Sequence, residues 1–130
     1  MAWKLFGGGK AKSETEPRAT TLPLTELVGK YRAMVFNSKR ETVLISLKTL
    51  QLHLNPYNPM RAAEDCTRLL PILSDLKQLS TDELLVEAER SIQIMQSGME
   101  LPNANPQHLL RLALLVVEAV QSVPPMSEED

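Results

Sequence analysis

At 130 residues and 14.5 kDa, with 43% hydrophobic and 23% charged residues, the chain has the length of one domain and the composition of a folded protein. One cysteine, Cys66, excludes an intramolecular disulfide, and an aromatic content of 4% calls for an aliphatic core. The net charge of -2 conceals an asymmetry: residues 1–40 hold eight Lys and Arg against three acids, and the other residues hold six against thirteen.

The basic leading segment suggests attraction to an anionic surface, and the acidic remainder argues against nucleic acid. The aromatic residues do not cluster as a base-stacking platform, so no nucleic-acid partner is expected. No signal-peptide pattern opens the chain, and together with the single cysteine this points to a reducing, cytoplasmic setting.

In chain order, Ala2-Trp3-Lys4-Leu5-Phe6 is apolar around one lysine. Gly7-Gly8-Gly9 follows, and then a polar stretch with Lys10, Lys12 and Pro17. Residues 1–21 read as a flexible basic arm. Trp3, Leu5 and Phe6 have the chemistry to enter a headgroup layer, and Lys4, Lys10 and Lys12 would each add about 1 kcal/mol of attraction to anionic lipid. This start resembles the short membrane-inserting N-termini of ESCRT-III-type proteins and of some small viral matrix proteins, and the resemblance implies peripheral membrane contact. The body departs from ESCRT-III, being acidic and interrupted by proline. The alternative for Trp3, Leu5 and Phe6 is packing on the bundle or in a protein groove.

Residues 22–123 read as a helical bundle of about five helices. Leu24, Leu27, Val28, Tyr31 and Val35 fall on one stripe, which predicts a first helix. Ser38 and Glu41 form a capping box that predicts a second, with Val43, Leu47, Leu50 and Leu54 facing the core. Asn55-Pro56-Tyr57-Asn58-Pro59 ends it, and Asn58 with Pro59 opens a third over Ala62, Cys66, Leu69, Leu73 and Leu76. Pro71 inside that pattern predicts a kink or a split near Leu70. Ser80 and Glu83 form a second capping box, before a helix with Leu85, Ala88, Ile92, Met95 and Met99 inward. Asn105-Pro106 then opens a last helix, apolar nearly all round from Leu109 to Val123 and too short for a bilayer. Leu47, Leu73 and Leu112 are expected in the core. The apolar excess of the last helix predicts a homo-oligomer with Val116 and Val120 near its interface. Residues 124–130 read as a disordered acidic tail.

Chemistry is sparse. Gly7-Gly8-Gly9-Lys10 lacks the strand, helix and spacing of a phosphate-binding loop. Zinc needs about four converging ligands, whereas His53, Cys66 and His108 fall on three different predicted helices. Cys66 lies in an apolar stripe, where burial would keep the thiol inert. No nucleophile stands beside either histidine, and no catalytic residue, metal or cofactor is expected. The sequence therefore predicts a non-catalytic interaction or assembly protein, scaffold-like or matrix-like and peripherally membrane-associated through its arm. A protein-binding adaptor without membrane contact is the second reading. An enzyme, the third, would require a polar pocket holding His53 or His108.

Overall fold

A computed structural model describes residues 23–128. Among them the chain is all-helical: α1 Leu24–Leu54, α2 Pro59–Leu79, α3 Glu83–Met99 and α4 Pro106–Ser122, with no strand. The described residues divide into two compact units, Val35–Met126 and a smaller one that holds residues 23–34 and 127–128. None of the four helices is long and apolar enough to cross a membrane.

Four helices stand where five were expected, because the first two are one. No glycine or proline falls between Lys30 and Leu54, so nothing in that stretch opposes helical geometry. A capping serine must leave the helical region of φ and ψ. Ser38 instead lies inside α1, where its carbonyl accepts a bond from Thr42 Oγ1 at 3.0 Å.

The next two starts separate genuine from apparent caps. Asn58 caps α2 through its side-chain oxygen, which accepts from the Arg61 N–H, and Pro59 takes the first helical position as expected. At α3, however, the cap is Asp82, whose Oδ1 accepts the Leu84 N–H at 2.9 Å. Ser80 closes α2 instead, donating its N–H to the Leu76 carbonyl and receiving the Asp82 N–H on its hydroxyl. A carboxylate is the stronger acceptor at a helix start, where it also meets the positive end of the helix dipole. Pro71 is accommodated within α2, which is not split. Asn105 caps α4 with bonds from Gln107 N and His108 N.

Within Val35–Met126 the core runs the length of the bundle. Phe36, Val43, Leu47, Leu50 and Leu54 come from α1, and Ala62, Cys66, Leu69, Leu73 and Leu76 from α2. Leu85, Ala88, Ile92 and Met95 come from α3, and Leu109, Ala113, Val116 and Val120 from α4. Steps of three and four keep each set on one face, and each buried leucine adds roughly 1.5–3 kcal/mol of apolar burial. Helix α3 packs against both α2 and α4. Polar contacts fix the rest: Lys39 of α1 pairs with Asp75 of α2 at 3.1 Å, and Lys77 of α2 with Glu89 of α3 at 2.5 Å. Leu112, expected in the core, is only partly buried, because it lies toward the side of α4 that faces outward.

The segment after α4 is also placed differently from expectation. Asn37 Nδ2 donates to the Met126 carbonyl at 2.8 Å, and the Met126 N–H returns a bond to Asn37 Oδ1 at 2.9 Å. Arg40 donates from Nε to the Val123 carbonyl and from Nη2 to that of Gln121. Residues 124–126, read as the start of a disordered tail, are thus pinned to α1 by a side chain that satisfies both backbone groups of Met126.

Candidate functional site

Three features of the larger unit, and one of the smaller, are candidates. The first is a polar cluster at the α1–α2 junction. His53 stands in the last turn of α1 and Asp65 on the inward side of α2, where the carboxylate is only 2% exposed. His53 Nδ1 lies 2.5 Å from Asp65 Oδ2, and Arg68 Nη2, one turn along α2, lies 2.5 Å from Oδ1. The carboxylate is acceptor-only, so Nδ1 carries the hydrogen. Both oxygens of the buried acid are satisfied, and the arrangement pins α1 to α2.

Cys66, next to Asp65, is a free thiol fully enclosed in the core. Burial, and secondly the charge of Asp65, push its pKa from 9.0 up to about 12. The thiolate is the reactive form, so in the folded protein Cys66 will resist a disulfide reagent at pH 8 and react once urea unfolds the chain. The same shift sets a pH dependence. The folded state holds the thiol proton more tightly than the unfolded state, so its contribution is complete below pH 9 and is lost between pH 9 and about 12. Cys66→Ala should flatten the fall in unfolding free energy over that alkaline window, and an unchanged slope in denaturant titrations would contradict the assignment.

The second feature is an open cavity of about 710 Å³ at one end of the bundle, between the α1–α2 turn and the start of α4. Tyr57, Asn55, Asn103, Asn105 and Gln107 give it uncharged polar walls, with Leu54 and Leu110 behind them. The Tyr57 hydroxyl is buried and bonds to no other described group. The third is a groove of about 380 Å³ between α3 and α4. Leu84, Ala88, Leu112, Leu115 and Val116 line it together with the carboxyl-bearing Glu87 and Glu118.

Neither cavity is lined by His53 or His108. Among the described residues no three His, Cys, Asp or Glu side chains gather as a metal site. Val116 and Val120, expected near an oligomer interface, face inward, and Val116 is 1% exposed on the groove floor. The outward apolar residues of α4 are Leu114 and Leu115. Spacing by three and four does not say which side of an all-apolar helix turns in. Trp3, Lys4, Leu5, Phe6, Lys10 and Lys12 lie outside the described residues.

The fourth feature belongs to the smaller unit. Leu24, Leu27, Val28, Tyr31 and Met34 all lie on α1 and all are exposed, Leu24 by 75% and Tyr31 by 60%. Their steps of three, one, three and three make one continuous apolar strip on the helix. In the sequence Leu24, Leu27, Val28, Tyr31 and Val35 mark a helical stripe, and whether another element covers it is not legible there. No protein-family model matches the chain, and no curated protein or solved structure does.

Proposed function

We propose that this chain is a non-catalytic helical interaction or assembly protein, one that associates with copies of itself and attaches peripherally to anionic membrane through its N-terminal arm. The observation that carries the reading is the exposed strip of Leu24, Leu27, Val28, Tyr31 and Met34. Isolated apolar side chains on a surface are ordinary, but a contiguous strip of five on one helix is the mark of a surface that meets another molecule. The membrane component rests on the arm's chemistry: Trp3, Leu5 and Phe6 beside Lys4, Lys10 and Lys12. A cytoplasmic position at the membrane face suits a protein with one cysteine, Cys66, which is free and buried. The second reading is an adaptor that uses the same α1 strip and never touches lipid.

Light scattering and vesicle co-sedimentation test the proposal together. The full chain should show a mass above the 14.5 kDa of one copy as concentration rises, and should sediment with anionic vesicles. Leu5→Glu should nearly abolish vesicle binding with the melting temperature unchanged. Added salt should weaken binding without eliminating it, because screening reaches the lysines and leaves the apolar contribution intact. Self-association without vesicle binding would favour the adaptor. A strict monomer that ignores vesicles would overturn the proposal.

A further inference from the structure

We infer that the α3–α4 groove of one copy receives the Leu24–Met34 segment of a second copy, and that Glu87 and Glu118 select it by charge. This rests on the proposed self-association and specifies its surfaces.

The two surfaces match in shape class. An amphipathic helix docks in a groove through side chains spaced by three, four and seven, and Leu24, Leu27, Val28 and Tyr31 follow that spacing. The groove offers a floor of Ala88 and Val116, both buried, with Leu112 and the exposed Leu115 also lining it. Its volume of about 380 Å³ has room for bulky anchors, and tyrosine, the residue type of Tyr31, is among those enriched as interface anchors.

They match in charge as well. Glu87 and Glu118 are exposed, and both line the groove. The docking segment has one acid, Glu26, and carries the exposed Lys30 close beside the strip in helical projection. The same polarity holds across the chain, where the basic excess lies in residues 1–40 and the acidic excess in the rest. Like charges discourage helix from meeting helix and groove from meeting groove, and opposite charges favour helix in groove. Each copy owns one helix and one groove. Each copy can thus both give and receive the segment, and a reciprocal exchange about a twofold axis would double the contact and close the assembly at a dimer.

A reciprocal charge swap on the full chain tests this. Light scattering of the wild type should give twice the single-copy mass, and dimerisation should weaken in high salt. Glu87→Lys with Glu118→Lys should weaken self-association at least about tenfold, and Lys30→Glu should weaken it in the same direction. Mixing the two variants should restore a dimer. In the mixture the altered groove meets the altered helix, and the unaltered helix meets the unaltered groove. Should a reversal lower the melting temperature, Glu87→Gln and Lys30→Gln repeat the measurement without introducing a new charge. A wild-type dimer indifferent to both variants, or a mixture that fails to recover, would overturn this pairing while leaving self-association intact. A chain monomeric at every concentration would overturn the pairing, and only the further loss of vesicle binding would take the proposed function with it.

Discussion

Leu73→Ala will lower the unfolding free energy by about 2–5 kcal/mol, and Leu47→Ala by a similar amount. Both side chains are fully buried, Leu47 on α1 and Leu73 on α2, each more than a turn from its helix end. Truncation removes the transfer free energy of three carbon atoms from each and leaves a hole that rigid helices close only in part. Leu112→Ala provides the internal control. That side chain lines the α3–α4 groove and is only partly buried, so its loss should cost distinctly less. Denaturant titrations of the three variants should place Leu112→Ala apart from the other two. Equal losses at all three positions would mean that α4 is rotated from the orientation described.

The second large effect belongs to Asp65. Removing His53 or Arg68 alone leaves the carboxylate with one partner, whereas His53→Ala with Arg68→Ala leaves a 2%-exposed acid with neither. Stranding a buried charge in this way costs about 3–5 kcal/mol. Adding Asp65→Asn to that pair should recover much of the loss, because a neutral amide is far cheaper to bury than an unpaired carboxylate. Asp65→Asn alone should cost less than the double variant, since His53 and Arg68 both reach solvent and can rehydrate. The decisive comparison is between the double and triple variants. Equal stability there would show that the cluster contributes through packing and not through charge.

Local rules proved readable where one residue type acted alone. Asn58 before Pro59 and Asn105 before Pro106 announced two helix starts, since an amide acceptor followed by a residue lacking an N–H suits little else. They misled where two polar residues merely had a cap's spacing. Ser38 and Glu41 form that pattern, yet with no breaker nearby the chain continues as α1. Ser80 and Glu83 form it again, and Asp82 between them takes the role.

The candidate surfaces were less legible for a different reason. The alternation of apolar residues shows that a stripe exists but not whether a partner element covers it, so the exposed Leu24–Met34 strip and the buried Val43–Leu54 stripe look alike in sequence. Asp65 offered one overlooked clue. It stands between Ala62 and Leu69 in the inward pattern of α2, and an acid in that register needs partners. Which partners they are depends on how the Asn55–Asn58 turn folds α2 back on α1, bringing His53 alongside it.

The clasp between Asn37, Arg40 and the segment after α4 bears on how the bundle assembles. Antiparallel neighbours such as α2 with α3 and α3 with α4 meet across short turns, and such contacts carry little loop-closure entropy. The bonds of Asn37 to Met126 and of Arg40 to Val123 instead join positions separated by 89 and 83 residues. They turn an open string of hairpins into a ring. Closing a ring of that size is entropically costly until the intervening helices have already shortened it, so the clasp is expected to form in the last steps of folding. Once made, it couples the two ends of the Val35–Met126 unit, and fraying at either end must first break bonds to the other.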